Sequence, residues 1–305
     1  MKRNGFLLAI VIGQGLLIGL LLWLRFQEPP VEQVPVAATS TAESTVEPVT
    51  PPDGDGTIRE STLAEALSIA RTGLAHLREN LVDYRSRVIK RERVDGKLLD
   101  EQELELKVLC RRREQGKIVQ PMRVYLKFLS PESIAGREAI WAEDQNDGRL
   151  IGHEAGIMNL ASASLDPTGE RAMEGNLYPI TEIGVVNLVE QLIARGENDL
   201  TESQVRVTLK EDQRIGDRSC TRIRIELVQP SETLNFQYAE IFIDMERQLP
   251  LRYAAYGWPD SVGDDGNGVQ EEYTYLDLET NVGLTETDFD PSNEAYNFPA
   301  LRLSL

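Results

Sequence analysis

Cysteine and histidine are scarce in this chain of 305 residues: two of each, Cys110, Cys220, His76 and His153. Neither cysteine stands in a C-x-x-C pair, so nothing points to zinc-ribbon or thioredoxin-like chemistry. Two histidines are too few to build a histidine metal site, and neither a metal nor an organic cofactor is expected. The chain also lacks a GxSxG elbow, an HExxH pair, a P-loop and a dinucleotide GxGxxG. Basic residues are outnumbered, 32 against 50 acidic, for a net charge of −18 and a pI near 4.6. So acidic a chain is repelled by nucleic-acid phosphates and by anionic headgroups, which argues against a nucleic-acid role and against docking through a polybasic patch. No cysteine follows the apolar N-terminus at lipobox spacing, so lipid attachment is not expected.

One long apolar run is present. Residues 5–24 (GFLLAIVIGQGLLIGLLLWL) contain a single strongly polar side chain, Gln14, and end near Trp23. About 20 helical residues cross a hydrocarbon core of about 30 Å. Lys2 and Arg3 precede the run and only Arg25 follows closely, so the positive-inside rule leaves the N-terminus in the cytoplasm. The expectation is an N-terminal transmembrane anchor over 1–27. It places the chain in the inner membrane as a single-pass protein, with its C-terminal part in the periplasm or outside the cell. The competing expectation is a cleaved signal peptide, for which Val36-Ala37-Ala38 is the nearest small-residue site. Residues 28–57 are rich in Pro, Thr, Glu and Val and show no amphipathic period, which predicts a disordered tether.

A folded domain is expected over 58–305. Thr62 and Glu65 have capping-box spacing. Leu63, Leu67, Ala70, Leu74, Leu77 and Leu81 then form one helical stripe, with His76 off it. From Tyr84 the period changes to two. Asp95-Gly96 is a hairpin turn. Leu104, Leu106, Val108 and Cys110 share a face, as do Met122, Val124, Leu126 and Phe128. Residues 138–143 and 149–154 pair around Asn146-Asp147-Gly148. Residues 155–181 break the pattern and read as a lid or a long surface connection. A second helix is predicted over about 182–195, with Ile183, Val186, Leu188, Leu192 and Ile193 on its apolar side. Strands follow near 204–210, 220–228, 236–244, 249–258 and 270–278. The expected fold is α+β: a large curved antiparallel sheet, a half-barrel, covered by helices.

The segments IFIDMERQLPLRYAAYG (241–257) and EEYTYLDLETNVGLTETDFD (271–290) resemble the closing strands of the LolA-like periplasmic lipoprotein carriers. The matching positions are Asp244, Pro250, Arg252, Tyr256, Asn281, Leu284 and Phe289, with Glu286 where that pattern has Asp. Over about 60–300 the chain also resembles a family of unknown function found mainly in planctomycete bacteria, through KRERVDGKL, VYLKFLSP, GREAIW, LDPTGERAM and YPITEIG. The LolA-like resemblance implies an apolar sheet face, under the helices, that holds acyl chains. The anchor and the unmatched 155–181 region depart from the soluble carrier, and the anchor suits a tethered sensor branch of the same fold.

Candidate residues for an apolar cavity are Val124, Leu126, Phe128, Ile140, Trp141, Met158, Leu160, Ile223, Ile225, Ile241, Ile243, Tyr273 and Tyr275; a plain core uses the same composition. The expected partner is a lipid or lipoprotein acyl chain. The alternatives are a protein-interaction or envelope-stress module with a closed core, and a hydrolase using His153 with Glu154 and Ser162 or Ser164. Asp260, Asp264 and Asp265 could hold calcium weakly, but a solvated hairpin loop is the better reading of them. The oxidising compartment would allow a disulfide between Cys110 and Cys220, but parity argues against it: Cys110 runs with Leu106 and Val108 and Cys220 with Arg222 and Arg224, unless a bulge reverses the phase.

Overall fold

The computed structural model describes residues 56–156, 159–231, 233–259 and 268–304. The expected anchor, all but the last two residues of the tether, Met158 and the three loop aspartates lie outside them. Among the described residues no helix is long and apolar enough to cross a membrane.

Strand β1 (Ile58–Ser61) leads into α1 (Leu63–Asn80). The Thr62 hydroxyl caps the helix by accepting the Glu65 N–H at 3.1 Å. The other half of the expected capping box does not form, because Arg59 and Ser61 take the Glu65 carboxylate. Glu202 instead accepts the Leu63 and Ala64 N–H groups at 2.9 and 2.8 Å. A carboxylate at this end also meets the positive pole of the helix.

The first half of the sheet comprises β2 (Asp83–Val94), β3 (Lys97–Leu98), β4 (Gln102–Leu109), β7 (Arg123–Ser130), β8 (Glu138–Ala142), β9 (Leu150–His153) and β10 (Ser162–Leu165). A separate small hairpin, β5 (Arg112–Glu114) with β6 (Lys117–Gln120), stands apart. Asp95 and Gly96 turn at φ 50° and 80°, the left-handed pair that a tight hairpin needs. After the short α2 (Glu170–Met173) and α3 (Val185–Asn198) come β11 (Val205–Ile215), β12 (Arg218–Leu227), β13 (Tyr238–Asp244), β14 (Leu249–Tyr256), β15 (Val269–Thr280) and β16 (Arg302–Ser304).

These strands make one open sheet in the order β1-β11-β12-β13-β14-β15-β2-β4-β7-β8-β9-β10-β16, with β3 attached to β2. The wholly antiparallel expectation needs correction: β16 pairs β10 in parallel. The chain reaches β16 only after residues 281–298 have crossed the outer face, and a long connection permits parallel entry. The 155–181 stretch also differs from expectation. Part of it is β10, which pairs with β9 and extends the sheet edge.

The second helix begins at Val185 rather than near 182. Gly184, its cap, sits at φ 117°, a conformation that glycine alone adopts readily. A Cβ there would also meet the Tyr84 hydroxyl at 3.0 Å. Helices α1 and α3 run antiparallel, since Arg71 pairs with Glu197 and Arg78 with Glu190. Gly196 lets them close, because a Cβ there would lie 2.8 Å from a Leu67 methyl. Between them and the inner sheet face lies the main core, around Leu77, Tyr84, Leu106, Val108, Val124 and Val185.

Residues 281–298 strap the outer face. The buried Asp83 carboxylate accepts N–H groups from Val282 (2.7 Å), Gly283 and Leu284 (both 3.2 Å). Phe289 is buried with Tyr125 and Ile140, and Leu284, Tyr296 and Phe298 pack on them. Tyr296 stacks on Tyr125 at 4.1 Å. Lys107 and Arg123 reach up to Asp288 and Glu286.

Candidate functional site: an apolar cavity beside a tyrosine–carboxylate cluster

The inner face changes character along a single cross-strand row. Leu209 pairs with Ile223, Ile223 with Ile241, Ile241 with Tyr253, Tyr253 with Tyr273, and Tyr273 with Lys90. The next row reads Ile225, Ala239, Ala255, Glu271, Glu92. Residues directly opposite on one face touch, so the rows run from a purely apolar region on β11–β13 into a polar one on β14, β15 and β2.

Above the apolar half is a cavity of about 250 Å³. Its floor is Ile223, Ile225, Ala239, Ile241 and Ile243; its roof is Leu67, Ala70 and Gly73 of α1 and Val189, Leu192 and Gly196 of α3. Ser68, Thr72 and Met245 line it and are exposed, so they form its mouth. Two of the lining groups, Arg195 and Tyr253, belong equally to the polar half.

A second, smaller cavity of about 90 Å³ lies over that half and shares Leu192, Arg195 and Tyr253 with the first. Tyr253 donates to Glu271 at 3.1 Å and Tyr178 to the other oxygen at 2.9 Å. Tyr273 donates to Glu92 at 2.6 Å, and Glu92 also accepts the Leu177 N–H and pairs with Lys90 at 3.0 Å. Burial, then the neighbouring carboxylate, raises the phenols: Tyr178 to about 12, Tyr253 and Tyr273 well beyond the ordinary range. All three therefore stay neutral donors. Arg195 is held charged: burial opposes it, but Tyr253, Tyr178 and Glu271 outweigh that. Such a cluster, with three neutral phenols, Arg195 and two hydrogen-bonded glutamates, can bind and orient a polar head.

The predicted cavity residues divide by place. Ile223, Ile225, Ile241 and Ile243 line the larger cavity, and Tyr273 and Tyr275 the smaller. Val124, Leu126, Phe128 and Trp141 belong to the packed core under β7 and β8 and line neither cavity. Ile140 lies on the outer face beneath the strap, because strand alternation turns it away from Trp141. Leu160 is exposed. A helix cover was expected, but the roof residues of α1 and α3 and the Glu92–Glu271 cluster were not among the predicted cavity residues. A pair of glutamates on strands looks like solvated surface until the register places tyrosines beside them.

His153 does not assemble a hydrolase site. Its ring is sealed, with Nδ1 2.7 Å from the Glu154 carbonyl and Nε2 3.6 Å from Glu138. Ser162 donates to the Pro299 carbonyl, and Ser164 accepts from Asn146 and Arg149. Burial depresses the His153 pKa, but Glu138 and the Glu154 carbonyl outweigh it and the net shift is upward. Cys110 and Cys220 are both free and buried. Cys220 sits in the core although its strand phase matches two arginines. Among the described residues no cluster could hold a metal ion.

Several solved structures are similar in fold. A DUF1329 family protein from Desulfovibrio piger is 11% identical over 75% of this chain and 98% of its own, with a TM-score of 0.35. The complex of Pseudomonas aeruginosa MucA/MucB is 15% identical over 74% and 60%, at 0.40. A LolA superfamily protein from Nitrosomonas europaea is 11% identical over 75% and 98%, at 0.28. The last of these belongs to the superfamily that the closing strands resemble. No curated protein matches the chain in sequence. Residues 81–298, from the end of α1 through the strap, match the family described as Protein of unknown function (DUF1571), and the chain belongs to that family.

Proposed function

We propose that this chain is a single-pass inner-membrane protein whose outer domain, a half-barrel closed over by α1 and α3, holds one acyl chain or a similarly narrow apolar ligand without catalysis. The single observation that carries this reading is the cavity of about 250 Å³ walled by isoleucines below and two helices above. Its size lies just under the roughly 300–1,000 Å³ of ordinary ligand sites, which suits one chain better than two. A methylene takes about the volume of a water, roughly 30 Å³, so about eight fit. At about 0.8 kcal/mol each they contribute roughly 6 kcal/mol of gross transfer energy, from which the cost of immobilising the ligand is subtracted. The neighbouring tyrosines and Arg195 supply a polar terminus.

The test is displacement of a fluorescent fatty acid from the full chain in nanodiscs. Ile241→Trp, which fills the floor, and Ala70→Phe, which fills the roof, should each weaken binding at least about ten-fold, a loss of about 1.4 kcal/mol, with the thermal transition retained. Equal binding by both folded variants refutes the cavity as the site. No binding by the unaltered chain favours a protein-interaction module instead.

A further inference from the structure

The chain carries 18 more negative than positive charges, yet one cavity in it is basic. This cavity, about 400 Å³, opens between the C-terminal end of α1, the start of α3 and the segment that follows β4. Arg78, Arg111, Arg112 and Arg113 all line it. Arg78 is paired with Glu190 and Arg111 with Glu143. Among the described residues neither Arg112 nor Arg113 forms an ion pair, although Arg113 donates to the Gly116 carbonyl and, against the cost of burial, helps lower the Glu143 pKa, so four arginines face two paired glutamates. The Asp83 carboxylate, whose charge reaches Cys110, is hydrogen-bonded to the backbone N–H groups of Val282, Gly283 and Leu284, and Glu114 lies exposed next to Arg113. Asn187 and the first turn of α3 complete the wall. The cap residue of that helix is Gly184, and the Tyr84 hydroxyl accepts the Val185 N–H at 3.1 Å, so the cavity's basic character comes from its arginines rather than from the helix start.

We infer that this arginine-lined cavity is a binding site for a phosphate-class anion, separate from the apolar cavity. Guanidinium groups match phosphate oxygens in a planar two-point geometry that lysine cannot reproduce. Three arginines in succession on and beside a short hairpin, facing a fourth across the cavity, provide that geometry from two directions. The buried Cys110 thiol at the base is pushed up to about 12 by burial and by Asp83, so it stays protonated there. The site therefore binds and does not attack.

The test is calorimetric titration of inorganic phosphate into the full chain in phosphatidylcholine nanodiscs. The expected result is saturable binding that weakens as salt rises and falls at least ten-fold in Arg112→Ala/Arg113→Ala, where Arg112 is half-buried and Arg113 exposed. Arg112→Lys/Arg113→Lys, which keeps the charge, should fall between the two and guards against a folding artefact. A parallel titration with dihexanoyl phosphatidic acid separates the sources. Displacement of phosphate at ten-fold lower concentration assigns a lipid headgroup, whereas equal affinity assigns a free phosphate. Absence of phosphate binding in the unaltered chain, or equal binding in the double alanine variant, overturns the site.

Discussion

Asp83 joins the two faces of the sheet, and its loss should be among the costliest single changes in the domain. It opens β2 on the edge of the main core, is almost fully buried, and spends both carboxylate oxygens on three successive backbone N–H groups at the start of the strap. Hydrogen bonds to a charged acceptor contribute about 1.5–3 kcal/mol each. Because all three share one carboxylate they do not add fully, so Asp83→Ala should destabilise by roughly 4 kcal/mol. For a domain of this size each kcal/mol moves Tm by about 2–4 °C, which gives a drop of about 8–16 °C. Asp83→Asn keeps an acceptor but loses the charge and should cost less than half as much. Scanning calorimetry of the full chain measures both. Limited proteolysis should show early cleavage within 281–298 in the alanine variant. A drop under about 3 °C, with the strap still protected, would refute the view that this carboxylate anchors the strap.

Other outcomes follow from the same geometry. Gly184→Ala places a side chain at φ 117° and against the Tyr84 hydroxyl, and should destabilise by more than about 1 kcal/mol, read as a Tm loss; an unchanged Tm contradicts the assigned helix start. The His153–Glu138 pair should make stability depend on pH in a defined direction. The His153 pKa is raised, so its contribution is complete below the ordinary value of 6.5 and is lost as pH climbs through the folded value. The Glu138 pKa is lowered: burial works against this, but His153 and Tyr125 outweigh it. Its contribution is present above the ordinary 4.5 and is lost as pH falls through the folded value. Tm should therefore decline above pH 6.5 in the unaltered chain and flatten there in His153→Gln; parallel curves would remove His153 from the account.

Much of this architecture was legible in the residues. The Leu63–Leu81 stripe, the Asp95-Gly96 turn and the alternation at 104–110 and 122–128 each follow from a local period that tertiary packing did not override. The misplacements have specific physical origins. Ile180–Glu182 forms a 3-10 turn and Gly184 takes a left-handed φ, so α3 starts later than its apolar spacing suggests. Lys210 and Gln213 bracket a bulge, which carries β11 past the expected end. Apolar composition could not distinguish Trp141 in a filled core from Ile241 beside a void, because the void depends on how far two helices stand off the sheet. Phe289 and Leu284 were legible as part of a resemblance, but their role under the strap depends on a turn held by Asp83, 200 residues earlier.

The most direct test of the apolar cavity is native mass spectrometry of the full chain, extracted from the envelope in polymer discs without detergent and activated until the disc lipids are stripped. The cavity predicts one retained single-chain lipid or acyl group per protein, absent from Ile241→Trp. A bare protein mass in the unaltered chain, with no uptake of added fatty acid, contradicts it.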